Sequence, residues 1–131
     1  MEKSIASTFF VALTAYAFGG WTGLLGFLAL ASGIDYVTGV LASVKEGQKL
    51  SSSVGYWGLM KKALMFTAIM LAHQLDVSQG TTIIMQGAIY SFLVNELISI
   101  SENYGRLGLP LPKPLQDAIT LIKSKISGTA K

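Results

Sequence analysis

Three polar side chains lie next to long apolar stretches, where a charged or polar group is costly unless it has a partner or reaches water. Asp35 follows a stretch from 4 to 34 without a charged residue, and Asn95 and Glu96 stand at the end of a charge-free stretch that begins at Val77. An ionised carboxylate that faces lipid costs about 3 kcal/mol or more. Both carboxylates are therefore expected to face protein or water.

Asp35 and Glu96 have three possible roles at this depth. One is a structural lock made of local bonds, one is the lining or gating of an aqueous lesion, and one is proton coupling. A dedicated proton carrier usually has a chain of titratable groups, and only two carboxylates reach this depth. The bonds considered for the lock are Asp35 to Thr38 or a nearby backbone group, and Asn95 or Glu96 to Lys61 or Lys62.

His73 and Asp76 lie three residues apart, so they share one face of a helix. They supply two metal ligands where a structural zinc site takes four. A histidine–carboxylate hydrogen bond, or placement at the membrane interface, is therefore favoured over a metal site. Histidine titrates near neutral pH, which leaves a pH-sensing role open.

The motifs of soluble enzymes and of nucleic-acid-binding proteins are absent from the sequence. There is no cysteine and one histidine, which excludes the usual nucleophile–base pairs. No Gly-rich phosphate loop, His-Glu-x-x-His or Gly-x-Ser-x-Gly motif occurs. We expect no catalysis, no cofactor, no small-molecule substrate and no nucleic-acid partner.

The composition is that of a membrane protein. Of 131 residues, 13% are charged and 51% are hydrophobic, whereas about 25% of residues are charged in soluble domains. A chain of this length has a large surface relative to its volume and needs a polar coat to stay soluble. The low charge argues against a soluble monomer.

The apolar stretches predict four transmembrane helices. Residues 5–44 would form a helix of about 60 Å, twice the hydrocarbon thickness, and the Gly-rich segment 19–23 offers the turn that folds it back. The third span is long enough only if Lys61 and Lys62 both extend to the interface. The four predicted spans are residues 4–19, 22–44, 57–75 and 79–101.

The basic residues predict the orientation of these spans. With both termini in the cytoplasm, all ten Lys and Arg residues lie inside, and the outer turns at 19–23 and 76–80 carry none. Residues 45–56 then form a cytoplasmic loop. Trp21, Tyr56 and Trp57 are placed at headgroup level.

The segment 105–131 is predicted to be a cytoplasmic tail. It begins with a linker that contains all three prolines, and a helix restarts near residue 115. That helix has an apolar stripe and would lie on the inner leaflet or on a partner subunit. The predicted fold class is therefore all-α, a polytopic membrane protein with about four transmembrane helices and a C-terminal amphipathic helix.

Small residues recur at the spacing that allows membrane helices to pack closely. The pattern fits packing within one chain and packing between subunits equally well. The residues are Gly26, Ala29, Gly33 and Gly39 in the second span and Gly87 and Ser91 in the fourth.

Taken together, these motifs resemble the toxin-secretion/phage-lysis holin family. The resemblance runs in order along nearly the whole chain. It is carried by Gly19-Gly20-Trp21, by Asp-Tyr-Val-Thr-Gly at 35–39, by Leu50-Ser51-Ser52 with Gly55, Gly58 and Lys61-Lys62, by Ala72-His73 and Leu75-Asp76, by Asn95-Glu96 and Glu102-Asn103, and by Leu-Gly-Leu-Pro at 107–110.

The resemblance implies a small protein of the bacterial cytoplasmic membrane. Such proteins accumulate harmlessly and then form homo-oligomers that open large lesions, which release an endolysin or a toxin. It also implies that Asp35, Thr38, Gly39, Asn95 and Glu96 matter, without fixing their roles. The alternatives are a small defined ion or solute channel or transporter, and a non-conducting membrane scaffold.

Overall fold

The computed structural model describes the backbone of residues 2–129 and the side chains of residues 2–125. Within residues 2–129 the chain forms five helices and no strand, so the prediction of an all-helical chain is confirmed. The helices are α1 (Glu2–Phe18), α2 (Gly23–Lys45), α3 (Ser52–Gln79), α4 (Ile83–Arg106) and α5 (Lys113–Thr129).

Glycines in the left-handed conformation end α1 and α3. Gly19 and Gly20 have φ angles of 75° and 110°, and Gly80 has a φ of 71°, values that are costly for a residue with a Cβ atom. After the first of these turns, the Leu25 N–H donates a 3.2 Å hydrogen bond to the hydroxyl of Thr22, the N-cap of α2. The α1–α2 turn thus lies within the predicted segment 19–23.

The helix bounds differ most from the predicted spans in the second half of the chain. Helix α3 begins at Ser52 and ends at Gln79, so the predicted loop 45–56 was too long, and Tyr56 and Trp57 lie within a helix. Helix α4 begins at Ile83 rather than near 79, because Gly80 ends α3, and it continues to Arg106. Helix α3 thus extends beyond the predicted span at both ends, and α4 extends beyond it at its C-terminal end.

Helix α4 is the centre of the bundle. It packs against α2 and α3, while α1 contacts α3 alone and α5 contacts α4. Helices α2 and α3 meet at Tyr36, whose ring lies on the α3 backbone. The Tyr36 hydroxyl donates to the Gly55 carbonyl at 3.3 Å, and the edge of the ring lies beside Gly58. The largest side chains that are fully buried are Leu25, Leu28, Ile69 and Ile89.

Two helices, α2 and α4, are long and apolar enough to cross a membrane. The four spans predicted from the sequence are therefore supported in part. Helix α1 has 17 residues, about 25 Å of helix, and α3 carries Lys61, Lys62 and Asp76. Many large apolar side chains are exposed on α1–α4, among them Phe9, Leu30, Leu71 and Tyr90.

Candidate functional site: an ion cluster between three helices

One lysine joins two carboxylates in the half of the bundle near the α2–α3 loop. The Lys62 Nζ atom lies 2.9 Å from Oδ2 of Asp35 and 2.7 Å from Oε2 of Glu96. The three side chains are 18%, 17% and 12% exposed, respectively. Because α2, α3 and α4 supply one residue each, this ion cluster (Asp35, Lys62 and Glu96) ties the three helices together.

The ion cluster lies at one level along the helices. Asp35 and Glu96 lie ten residues before the ends of α2 and α4, and Lys62 lies ten residues after the start of α3, which is about 15 Å in each case. The side chain of Lys62 points into the bundle, where the two carboxylates hold it. The expectation that it extends to the membrane interface was therefore wrong. Lys61 is exposed.

Asn103 completes the coordination of Asp35. Its amide group, on a side chain that is 7% exposed, donates to the Asp35 carbonyl at 3.0 Å, to Asp35 Oδ1 at 2.9 Å and to Thr38 Oγ1 at 3.0 Å. The Thr38 hydroxyl in turn donates to the Ile34 carbonyl at 2.7 Å. Gly39 packs beside this amide, and a Cβ there would make an ordinary van der Waals contact with Asn103 Nδ2 at 3.5 Å.

The network continues from Asn103 to the C-terminal ends of α2 and α4. Arg106 donates to Asn103 Oδ1 at 3.3 Å and to Glu46 Oε1 at 2.6 Å. The hydrogen bonds from Arg106 hold the pKa of the Glu46 carboxyl below its ordinary value of 4.5, although partial desolvation opposes this shift. Lys45 donates to the Leu107 carbonyl at 2.7 Å. The C-terminal ends of α2 and α4 are therefore joined by polar contacts.

A cleft of about 1130 Å³ lies beside the ion cluster. Its lining runs from the α2–α3 loop, at Gln48 and Lys49, to Asp35, Lys62 and Glu96. The contacts between α2 and α3 are few compared with those that either helix makes with α4, which leaves this space open. Polar groups at membrane depth thus border a space that is large enough for water.

Asp76 has a different role from the one that the sequence suggested. Its side chain is buried and accepts hydrogen bonds from the Thr81 hydroxyl at 2.6 Å and from the N–H groups of Ile84 and Met85 at 3.0 and 2.8 Å. It therefore caps the first turn of α4. Of the two alternatives considered for this pair, the hydrogen bond between His73 and Asp76 is not formed, and the His73 ring lies against Gly19 instead.

The remaining residues singled out in the sequence lie mostly at the surface. His73 is half-buried with its ring against Gly19, and Ala29 is half-buried. Gly26 packs near the Trp21 indole nitrogen, while Gly33 and Gly87 face open space. The exposed residues are Trp21, Gly33, Tyr56, Trp57, Lys61, Gly87, Ser91 and Asn95.

The sequence did not reveal that Asn103 binds Asp35 through hydrogen bonds. Asn103 belongs to the motif that carries the family resemblance, but nothing in its neighbours marks it as a partner of Asp35, 68 positions away. One signal was present: Asn103 follows Glu96 by seven residues, so both lie on the same face of α4. A helical projection would have placed it beside the ion cluster.

Comparisons with known proteins identify a family and several relatives. The model of the bacteriophage holin family matches residues 12–124. An uncharacterized protein of Halalkalibacterium halodurans is 38% identical over 86% of this chain and 87% of its own length. An uncharacterized 14.9 kDa protein of Clostridium perfringens is 34% identical over 86% of both chains.

A phage protein is among the relatives. A protein of Bacillus phage phi105 named a probable holin is 28% identical over 84% of this chain and 81% of its own length. No solved structure matches. Since the family model spans most of the sequence and several relatives exceed 30% identity over most of both chains, this chain belongs to the bacteriophage holin family.

Proposed function

We propose that this membrane protein acts as a phage-type holin. It accumulates in the bacterial cytoplasmic membrane, forms homo-oligomers and then opens lesions that release an endolysin or a toxin. Membership of the holin family and the phage relative named a probable holin support this function. In this proposal α1 to α4 each cross the membrane, both termini are cytoplasmic, and an endolysin is the functional partner.

The ion cluster is the observation that carries the proposal. It holds three charged side chains at membrane depth on the inside of a single folded unit. In lipid, such groups are tolerated when they are paired or reach water. The structure therefore has the features of a closed state, in which the groups that would line a hydrated lesion are paired with one another.

Opening would follow from an exchange of partners. When Lys62 leaves Asp35 and Glu96, the carboxylates and the ammonium group must find water, and the adjacent cleft is the nearest polar space. Lateral association of many units would enlarge that hydrated surface. For timing to be adjustable, the closed and open arrangements must differ by a few kcal/mol.

The test is inducible expression in bacteria with and without an endolysin. A holin should give abrupt growth arrest at a set time, and lysis only when the endolysin is present. Release of a protein-sized cytoplasmic reporter separates this outcome from a narrow channel, which would pass ions but not the reporter. Unimpaired growth at high membrane accumulation would refute the proposal and favour a non-conducting scaffold.

A further inference from the structure

Helix α5 carries an apolar stripe with a lysine on each side of it. Leu115, Ile119 and Ile122 follow one another at spacings of four and three residues, so they share one face of the helix. We call these three residues the α5 stripe. At about 100° per residue, Lys123 and Lys125 lie about 80° to either side of the centre of the α5 stripe. Positive charge therefore borders the stripe on both sides.

The bundle does not cover the α5 stripe. Within the described chain, α5 contacts α4 and no other helix, and none of residues 113–125 is buried or belongs to the apolar core. Leu115 is 51% exposed, and Ile119 and Ile122 are half-buried. The stripe is thus available for contact with a surface other than the bundle.

The linker between α4 and α5 keeps the two helices close together. It consists of residues 107–112, and six residues span at most about 20 Å. Its fold is fixed by hydrogen bonds, since the Leu109 N–H donates to the Tyr104 carbonyl at 3.0 Å and the Gln116 amide donates to the Leu111 carbonyl at 2.6 Å. If α4 crosses the membrane, α5 therefore lies within reach of the membrane surface.

The charges of α5 fit an anionic surface. Residues 113–125 contain three lysines and one aspartate, and none of these four side chains forms an ion pair among the described residues. Asp117 lies about 165° from the centre of the α5 stripe, on the opposite side of the helix. A surface that accepts the stripe thus meets Lys123 and Lys125 first, while the carboxylate is kept away from it.

We infer that α5 lies in the plane of the membrane, on a leaflet that contains anionic phospholipids. The stripe lies among the upper acyl chains and the two bordering lysines lie at the headgroup phosphates, as in other amphipathic helices with basic residues beside an apolar face. With four charged side chains in thirteen residues, α5 itself is too polar to cross. The inference rests on the membrane crossing of α4, which belongs to the proposed function, but not on lesion formation.

Two small residues allow the depth of each side of α5 to be measured. Ala118 lies beside the stripe and Ser124 lies on the opposite side of the helix; both are exposed, and the chain has no cysteine. Full-length Ala118→Cys and Ser124→Cys are labelled with a small fluorophore and reconstituted in vesicles. Quenching by a lipid with a nitroxide near the top of its acyl chain reports the depth of the label. Because both leaflets have the same composition, either direction of insertion gives the same signal.

The quenching should depend on position and on lipid charge. In vesicles of phosphatidylglycerol and phosphatidylcholine, we expect quenching at position 118 to exceed that at position 124 several-fold. The difference should be much smaller in phosphatidylcholine alone, since the attraction to the lysines is lost, and added salt should reduce it in the anionic vesicles. Equal quenching at the two positions, or the same difference in both kinds of vesicle, would overturn the inference. Protection of position 118 from a water-soluble quencher without quenching by the lipid would assign the stripe to a protein partner and overturn it as well.

Point variants added to Ala118→Cys test the stripe and its lysines separately. Ile122→Asn should shift the docking equilibrium by roughly tenfold or more, whereas Leu121→Asn should have a small effect, because Leu121 lies about 125° from the centre of the stripe. Lys123→Gln should shift the equilibrium roughly fivefold, the contribution of one lysine near an anionic surface. Lys113→Gln is its control, since Lys113 lies on the opposite side of the helix. Equal effects within either pair would overturn the inference.

These outcomes can be told apart from the outcome for the proposed function. A docked α5 in a protein that causes no growth arrest would support the inference while refuting lesion formation. Normal lysis by a protein whose label at position 118 stays in water would refute the docking of α5 alone. All of the substitutions lie outside α1 to α4, so insertion in the vesicles should be unchanged, and flotation of the vesicles checks this.

Discussion

Replacing Lys62 by methionine should release the lock that the ion cluster provides. The ammonium group contacts its two carboxylates at 2.9 and 2.7 Å, and each contact has a gross Coulomb energy of about 6 kcal/mol at an effective dielectric constant of about 20. Most of that energy offsets the loss of hydration. The measurable cost of removing one partner is about 3–5 kcal/mol, because the other charges stay buried and unpaired.

Because the cluster is partly exposed, the free-energy cost of Lys62→Met is expected at the lower end of this range. With side chains that are 12–18% exposed, water compensates part of the lost contact, and about 3 kcal/mol remains. If only the closed state contains the cluster, its equilibrium against the open state shifts by roughly 10²-fold. In an induced culture that carries an endolysin, Lys62→Met should therefore lyse clearly earlier than wild type at equal membrane accumulation.

The neighbouring lysine is the matched control for this variant. Lys61→Met removes the same positive charge from the same helix, but Lys61 is exposed and forms no ion pair among the described residues, so wild-type timing is expected. Adding Asp35→Asn and Glu96→Gln to Lys62→Met removes the unpaired charges and should restore much of the delay. Wild-type timing of Lys62→Met, or equal effects of the two lysine variants, would refute the lock.

Three further predictions concern other polar contacts of the bundle. Asn103→Leu should lower the unfolding free energy in detergent by about 2–4 kcal/mol, since it leaves oxygens of Asp35 and Thr38 unpaired; an unchanged denaturation midpoint would contradict this. Asp76→Ala should lower the Tm by roughly 4 °C or more through loss of the α4 cap, measured by thermal unfolding. The pKa of Glu46 is lowered on folding, so its stabilisation is complete above pH 4.5 and is lost as the pH falls through the depressed value. Stability curves of wild type and Glu46→Gln should therefore converge in acid, and a constant gap would contradict the assignment.

The sequence predicted the depth of the carboxylates and offered Lys61 or Lys62 as a partner of Glu96, but it did not choose between the two lysines or pair either with Asp35. The absence of charges around Asp35 and Glu96 was enough to show that both avoid lipid. The choice between Lys61 and Lys62 depends on how α3 is rotated about its axis, because consecutive helical residues point about 100° apart. That rotation is set by packing against α4, so local sequence left both lysines open.

The length of α3 was also underestimated. The third span was predicted to run from Trp57 to Leu75 with Lys61 and Lys62 inside it, whereas the helix begins at Ser52 and ends at Gln79. The added residues include serines, Gln79 and Asp76, which accepts hydrogen bonds from the next helix. Hydropathy thus located the apolar part of α3 but not its polar ends.

If the bundle opens as proposed, the position of its ion pairs predicts where opening begins. The largest fully buried side chains, Leu25, Leu28, Ile69 and Ile89, all lie toward the ends of the helices near the α1–α2 and α3–α4 turns. The half near the α2–α3 loop also has buried apolar residues, among them Ala42, and it contains the three ion pairs of the described residues. The free energy of apolar packing changes little when lipid replaces protein, whereas water can replace the partners of an ion pair. We therefore expect the helix ends near the α2–α3 loop to separate first.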